Sequence, residues 1–284
     1  MSQPRKHHYL PEWYLSRWKR QWNNEEVIWE FARVGPKAKL MARYRHPAAT
    51  GYADDLYTIP NRNPEQAAEI ETKLLQIIDD RGAKALLMAE QNQVAGPEDK
   101  AGLVQFMLSM LHRSPERIAY LESRLAEDLS SNPLFNKENS AVYRAGALNV
   151  FADLVQSKKM IGRMMEMSTF IIALHETAHD LLISDSPVMI SNGLAHRDAF
   201  VILPAGPRSL VMLAENKELP EHIARHKGKV LSKAMNDAVV AQAKKLVIAP
   251  DRRQAKFIDN RLNRSNRHLN DAIDTVTGLI KWKI

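Results

Sequence analysis

The chain has 284 residues, a formal net charge of +7 and no cysteine. Without cysteine the protein forms no disulfide, has no thiolate nucleophile and binds no zinc through sulfur. No apolar run is long enough to span a bilayer, and the first six residues do not lead into the apolar segment of a secretory signal, so we expect a cytoplasmic protein with no membrane partner.

The first block of the chain, residues 1–63, is predicted to be rich in strands. Branched and aromatic residues dominate 27–31, which favours a strand, and 55–59 is a second such run that Pro60 closes. The next block, 64–167, is predicted to be helical. Asn63 before Pro64 is typical of a helix start, because asparagine caps the first turn and proline fits its first position.

Apolar residues recur at helical spacing inside the second block. One stripe consists of Ile70, Leu74, Ile77 and Ile78. Another consists of Leu103, Phe106, Met107, Met110 and Leu111, and it stops at Ser114-Pro115. The composition also favours helices over 116–129 and 139–167.

The third block returns to short strands, then one helix and a last strand. The predicted strands are 169–174, 181–183, 188–190, 200–203, 209–213 and 246–249, and the helix is 220–245. Strands at both ends of a helical middle predict an α+β fold. We expect residues 1–250 to form a single domain, with a mixed or antiparallel sheet built from N- and C-terminal strands and with 64–167 as a large central helical insertion.

The last segment, 251–284, is predicted to be a basic helical tail. Its excess of arginine and lysine forms either a solvated helix face or a contact with an anionic partner. Together with the net charge, this segment predicts nucleic acid or another polyanion as a possible partner.

A His-Glu-x-x-His pattern at His175, Glu176 and His179 matches the zinc metalloprotease signature. That chemistry needs a helix, so that both histidines share one face and the glutamate activates water. The runs on either side of the pattern are strand-like instead. We therefore expect a polar hairpin loop at 175–179 and treat a zinc metalloprotease as the less favoured hypothesis.

Several short motifs, in order, resemble an uncharacterised, largely bacterial family of unknown function. His7-His8-Tyr9-Leu10-Pro11 with Tyr14-Leu15 resembles its opening, and residues 183–188, ISDSPV, resemble its internal Thr-Ser-Asp-Asn-Pro-Val motif with serine at position 186. Further similar motifs are Tyr57-Thr58, Arg113-Ser114-Pro115, residues 200–204 and the helix that contains Asn236. The resemblance covers residues 7–250.

The resemblance implies that the site residues lie within these motifs. Paired imidazoles offer acid–base catalysis or metal ligation, so His7 and His8 are catalytic candidates together with Asp185. Asp185 either orients a histidine or shares a divalent metal with it, or it caps the amides of its own turn. The candidate substrate-binding residues are Tyr9, Tyr14, Arg113, Ser184 and Asn236.

Some of these candidates have an equally ordinary structural interpretation. Tyr9 and Tyr14 either belong to the core or line a pocket. Arg113 either binds a phosphate or carboxylate bidentately or caps the end of its helix.

Two functions fit the sequence. The first is a hydrolase of phosphodiesters or nucleic acid, such as a nuclease-like toxin or defence effector. His-His-x-x-Pro also resembles the opening of the His-Asn-His nuclease motif, although Asn23, Asn24 and His46 do not follow at its spacing. The second is a non-catalytic module that binds nucleic acid or protein. The chain has no phosphate loop, dinucleotide fingerprint or nucleophile elbow, which argues against ATPases, Rossmann dehydrogenases and α/β-hydrolases.

Overall fold

The structure, a computed structural model, describes residues 5–91, 93, 96–129, 140–175, 177, 179–191 and 193–263. Within these residues the fold is α+β, as predicted, with a helical middle and strands towards both ends. The strands are β1 (Lys6–His8), β2 (Arg20–Trp22), β3 (Glu25–Val34), β4 (Lys39–Arg45), β5 (Tyr52–Asp54), β6 (Ser168–Ala173), β7 (Ile183–Ser184), β8 (Met189–Ile190), β9 (Phe200–Gly206), β10 (Ser209–Ala214) and β11 (Leu246–Ala249).

The helices lie mostly between β5 and β6. They are α1 (Glu12–Leu15), α2 (Pro64–Ala67), α3 (Gln76–Glu90), α4 (Pro97–His112), α5 (Pro115–Leu129), α6 (Ser140–Val155), α7 (Lys158–Glu166), α8 (Glu218–Ala224), α9 (Gly228–Gln242) and α10 (Ala255–Asp259). A π-helix, Ile70–Leu75, joins α2 to α3. No helix among the described residues is both long enough and apolar enough to cross a membrane.

The described strands form three antiparallel sheets. In the largest, β3 pairs with β2, β4 and β11, and β11 also pairs with β7. This sheet therefore joins strands from the two ends of the chain, as the sequence predicted. A second sheet has the order β6-β10-β9-β8, and β1 pairs with β5 in the third. That residues 1–250 form one domain stays a prediction.

The strands β11 and β9 are buried on both of their faces. Successive side chains of a strand point to opposite faces, and in β11 Ile248 packs into one apolar cluster while Val247 packs into another. Leu203 and Ile202 of β9 divide in the same way. The first cluster includes the helices α3–α7, and the second includes α8–α10. This arrangement explains why these strands appear in the sequence as continuous apolar runs.

Local sequence signals explain several element boundaries. The side chain of Asn63 accepts a hydrogen bond from the Gln66 amide at 2.9 Å, which is the predicted cap at the start of α2. Asn23 and Asn24 both adopt positive φ, and this turn lets β2 pair directly with β3. Ser157 caps α7 with its side chain, so the predicted helix 139–167 is two helices.

Three other sequence predictions were wrong. Residues 55–59 form a turn and coil. The strand begins three residues earlier, at 52–54, where it pairs with β1. The segment 175–179 is not a hairpin, because β6 pairs with β10 whereas β7 pairs with β11 in another sheet. The predicted helix 220–245 is two helices, α8 and α9. Of the predicted helical tail, α10 is seen, and 264–284 lie outside the described residues.

Gly82 allows α3 and α4 to pack closely. A Cβ at this position would lie 2.6 Å from the Cβ of Phe106, which is buried. We expect Gly82→Ala to lower the free energy of unfolding by about 1–3 kcal/mol, because the overlap forces the two helices apart. Gly162→Ala is the matched control: its Cβ would meet nothing within 4 Å. The control should be neutral or stabilising by up to about 1 kcal/mol. Urea denaturation measures both, and equal effects would contradict the prediction.

Candidate functional site

A cavity of about 450 Å³ lies between the N-terminal segment and the first helices of the middle block. It brings the predicted His8 together with residues more than sixty positions later in the chain. Its lining consists of His8, Pro11, Glu12, Trp13, Glu71, Thr72, Gln76, Asp79 and Asp80.

Local structure places each of these groups. His8 ends β1, which is held by its pairing with β5. Trp13 lies on α1 and packs against Phe106 of α4, with ring centroids 4.9 Å apart. Glu71 lies in the π-helix, and Asp79 follows two turns later on α3. Single π-helical turns inside helices occur frequently at functional sites.

Three buried side-chain atoms of the cavity residues have no hydrogen-bond partner among the described residues. They are Nε2 of His8, Nε1 of Trp13 and Oε2 of Glu71. An unsatisfied buried polar atom costs about 1–3 kcal/mol, and most such atoms in native proteins are paired. These three atoms belong to side chains around one cavity, which makes this cavity a candidate for ligand binding.

Burial shifts the protonation of two of these groups towards neutrality. It lowers the pKa of His8, against the opposing effects of a hydrogen bond to the Ala48 backbone and of the Glu12 carboxylate. Burial also raises the pKa of Glu71 to about 7, although the Arg113 guanidinium acts in the opposite direction. At neutral pH the site therefore contains an uncharged imidazole and a carboxyl group that is partly protonated.

Arg113 lies behind the cavity and is only 2% exposed. Its guanidinium donates to both carboxylate oxygens of Asp79, at 2.7 and 3.0 Å, and to the His8 carbonyl oxygen at 2.7 Å. The sequence offered bidentate binding of a carboxylate as one alternative for Arg113, and the carboxylate that it contacts belongs to Asp79 of this chain. In this position Arg113 holds β1 and α3 together behind the cavity.

His7 faces away from this cavity. It is 3% exposed, its Nδ1 accepts a hydrogen bond from the Tyr57 amide at 2.9 Å, and its ring stacks on the Tyr57 ring. Neighbouring residues of a strand point to opposite sides, so the two histidines of β1 occupy different environments. A catalytic role for His7 stays a prediction.

Asp185 anchors a loop that is distant in sequence. Its carboxylate accepts hydrogen bonds from the amides of Lys244, Lys245 and Leu246, at 2.9, 2.5 and 3.3 Å. Its own turn is capped by Ser184, whose Oγ accepts from the Ser186 amide, so the suggestion that Asp185 caps its own turn was wrong. Burial raises the pKa of Asp185 to about 6, against the effect of the three amides.

The described contacts of Asp185 and His8 do not include one another. The structure therefore gives no support to the suggestion that Asp185 orients His8, and a catalytic role for Asp185 stays a prediction.

The remaining predicted site residues are buried and have partners within the chain. The Tyr14 hydroxyl donates to the Pro204 carbonyl at 2.7 Å, and Tyr9 belongs to the same apolar cluster. The Asn236 side chain donates to the Asp180 carbonyl and accepts from the Leu182 amide. Ser184, described above, is fully buried. Their roles in substrate binding stay predictions.

The His-Glu-x-x-His segment does not show the helix that zinc proteases require. Residues 175, 177 and 179 are not helical, and both histidines are exposed, while 176 and 178 lie outside the described residues. Among the residues that the structure does describe, no group of three histidine, cysteine, aspartate or glutamate side chains is arranged to hold a metal ion.

A second cavity, of about 570 Å³, lies beside the loop that Asp185 anchors. Its walls are largely apolar, and its polar residues include His112, Glu116, Ser186 and Gln242. Burial lowers the pKa of His112 to about 4, which leaves it uncharged, and Oε1 of Glu116 lies 2.7 Å from Nζ of Lys245. The His8 cavity is the better candidate for catalysis, because burial raises the pKa of its Glu71 carboxyl group to about 7.

Arginines surround a buried aspartate on another part of the surface. Asp180, 1% exposed, forms ion pairs with Arg20 at 2.6 Å, with Arg208 at 3.0 Å and with Arg253 at 3.3 Å. Because one carboxylate is shared among three guanidinium groups, this surface keeps an excess of positive charge.

Sequence reasoning identified His8 and Arg113 but missed Trp13, Glu71 and Asp79. Trp13 lies two residues after the His-His-Tyr-Leu-Pro motif, so the sequence could have indicated it as a site residue. Glu71 and Asp79 are charged residues on a helical segment, and only the packing of that segment against β1 distinguishes them from surface carboxylates.

Comparison with known proteins finds a family but no characterised relative. No curated protein and no solved structure is significantly similar to the chain. The family model described as "Protein of unknown function (DUF4238)" matches residues 6–253, which is most of the sequence. The chain belongs to this family of proteins of unknown function.

Proposed function

We propose that the protein is a hydrolase in which His8 acts as general base and Glu71 as general acid. One observation supports this above all: unpartnered buried atoms of His8, Trp13 and Glu71 belong to side chains that line the same cavity. A catalytic acid works best when its pKa lies near the working pH, and burial raises the pKa of Glu71 to about 7, while the lowered pKa of His8 keeps its imidazole unprotonated, as a general base requires.

The proposed reaction uses one water molecule. Nε2 of His8 takes a proton from the water as its oxygen attacks the substrate, and the carboxyl of Glu71 gives a proton to the leaving group as the bond breaks. Proton transfer from His8 to Glu71 through solvent restores the starting state. In this proposal the indole N–H of Trp13, which has no partner among the residues that the structure describes, donates to a substrate oxygen. General acid and base groups each contribute about 10²–10⁴-fold to the rate.

The charge of the cavity favours a substrate that is neutral or cationic at the scissile bond. Glu12, Asp79 and Asp80 line it in addition to Glu71, and Arg113 behind it is already paired with Asp79. Carboxylates that line the same cavity repel an anion inside it. An ester, amide or glycoside therefore suits the cavity better than a phosphate group alone.

A phosphodiester hydrolase, as predicted from the sequence, is the second candidate. The arginines around Asp180 favour it, because they offer a place for a nucleic acid backbone. In that case a divalent cation is needed to offset the carboxylates, and an oxygen ligand such as Asp80 suits a hard cation. A non-catalytic binding module remains the alternative to both.

The test is a substrate panel: p-nitrophenyl acetate, p-nitrophenyl glycosides, an aminoacyl p-nitroanilide and bis(p-nitrophenyl) phosphate, each with and without Mg²⁺ or Mn²⁺. We expect turnover of an uncharged or cationic substrate, and a loss of about 10²–10⁴-fold in His8→Asn and Glu71→Gln. Glu69→Gln is the control. Glu69 is two residues before Glu71 in the chain, but its side chain is exposed and lines a different cavity.

The pH profile of kcat/KM separates the two roles. The active form has His8 unprotonated and Glu71 protonated, so we expect a bell-shaped profile whose alkaline limb falls near pH 7. Glu71→Gln should remove that limb. Turnover of the diester alone would favour the second candidate, and absence of turnover across the panel would overturn the hydrolase in favour of the binding module.

A further inference from the structure

Three aromatic side chains form a row across one face of the largest sheet. Trp29 on β3 is the cross-strand partner of Tyr44 on β4, and Trp22 lies at the end of β2. The Trp22 and Trp29 ring centroids are 5.5 Å apart, those of Trp29 and Tyr44 are 5.9 Å apart, and both pairs meet edge to face. Trp22 is 45% exposed and Tyr44 is 50% exposed, whereas Trp29, which contacts both rings, is buried. Large exposed rings in one place commonly mark an interaction site.

Arginine side chains lie next to the row of aromatic rings. The guanidinium of Arg252 lies over the Trp29 ring, 5.2 Å from its centroid. Arg20 is two residues before Trp22 on β2, so both side chains point to the same face of the sheet. Through Asp180, Arg20 is joined to Arg208 and Arg253.

The central carboxylate of this region, that of Asp180, is buried, and its three arginine partners lie towards solvent. The Asp180 carboxylate is 1% exposed, whereas the side chains of Arg20, Arg208 and Arg253 are 47%, 51% and 60% exposed. Two further carboxylates nearby are Asp251, which pairs with Arg253 at 2.6 Å, and Glu25, the exposed cross-strand partner of Trp22. The guanidinium groups therefore dominate what a partner would meet.

We propose that this face, the aromatic–arginine surface, binds single-stranded nucleic acid. It presents Arg20, Trp22, Tyr44, Arg208, Arg252 and Arg253, and the buried Trp29 lies between the two exposed rings. Unpaired bases stack on exposed aromatic rings irrespective of sequence, and arginines follow the phosphate backbone. A duplex keeps its bases stacked internally and gains only the electrostatic contribution, so a single strand binds more tightly. The proposal goes beyond the proposed hydrolase and does not depend on it, because none of these residues lines the His8 cavity.

The test is fluorescence anisotropy of the full chain with a labelled 12-nucleotide oligo(dT), its RNA equivalent and a 12-base-pair duplex. We expect the single strands to bind more tightly than the duplex. Trp22→Ala and Tyr44→Ala should each weaken single-strand binding by about 5- to 100-fold, from the loss of one stacked base. Trp22→Phe should restore most of it. The double variant Arg20→Gln/Arg208→Gln should reduce the slope of log K against log salt by about 2.

The controls separate this surface from general charge and from catalysis. Tyr120, also 50% exposed, lies on α5, away from these strands, and Tyr120→Ala should leave binding unchanged. His8→Asn should lose hydrolysis but keep binding. Equal affinity for duplex and single strand, with no effect of the aromatic variants, would overturn the proposal and indicate non-specific attraction. Absence of binding at low salt, or tighter binding to a polyglutamate peptide, would overturn it as well.

Discussion

Replacing Arg113 with methionine is expected to lower the free energy of unfolding by about 3–5 kcal/mol, because removal of one partner of a buried ion pair leaves the other uncompensated. The Arg113 guanidinium is buried, and its loss leaves the Asp79 carboxylate and the His8 carbonyl without a donor at 2.7–3.0 Å. The measurement is urea denaturation at neutral pH. The wild type and the variant are compared with the same m-value, which is the slope of the unfolding free energy against urea concentration.

Two further variants show whether the ion pair itself causes the loss. Arg124→Met removes an exposed arginine that pairs with Glu127 at 2.9 Å, and its effect should stay below about 1 kcal/mol. The double variant Arg113→Met/Asp79→Leu should recover part of the stability, since neither charge is then left alone. If Arg113→Met costs as little as Arg124→Met, then Arg113 does not hold β1 to α3, and the cavity has some other support.

Glu71→Gln is expected to stabilise the protein at alkaline pH while it slows hydrolysis. Burial raises the pKa of Glu71 from 4.5 to about 7. A carboxyl whose pKa is higher in the folded than in the unfolded state favours folding fully below the unfolded pKa, and this contribution is lost as the pH rises through the folded pKa. Glutamine resembles the protonated form. The variant should therefore match the wild type near pH 4 and exceed its stability by about 2–3 kcal/mol at pH 8.

The measurement is the difference in unfolding free energy between variant and wild type from pH 4 to pH 8, which cancels the other titrating groups. Glu69→Gln, in an exposed position two residues earlier, should show no such pH dependence. A flat difference for Glu71→Gln would mean that Glu71 titrates as an ordinary surface carboxylate. The acid–base assignment would then lose its support even if the cavity binds a ligand. Gain of stability with loss of activity is the usual sign of a strained active-site group.

The candidate site shows which of its residues could be predicted from sequence patterns. The paired histidines beside a proline and several aromatic residues were correctly recognised as an unusual N-terminus, and His8 does line the candidate cavity. The partner that the sequence suggested, Asp185, instead accepts three amides of a distant loop. A turn motif reveals that a carboxylate is constrained. It does not reveal which amides will meet that carboxylate.

The sequence by itself determined the α+β class, the helical middle and most strands, because these depend on local periodicity, caps and turn residues such as Asn63, Asn23 and Asn24. Strand partners and the composition of the site depended on tertiary structure. Whether 181–183 paired with its neighbour or with β11 was decided by burial on both faces of a sheet, which no local pattern encodes. Glu71 likewise became a candidate acid only when β1 and α1 packed against its helix and removed water from its carboxylate.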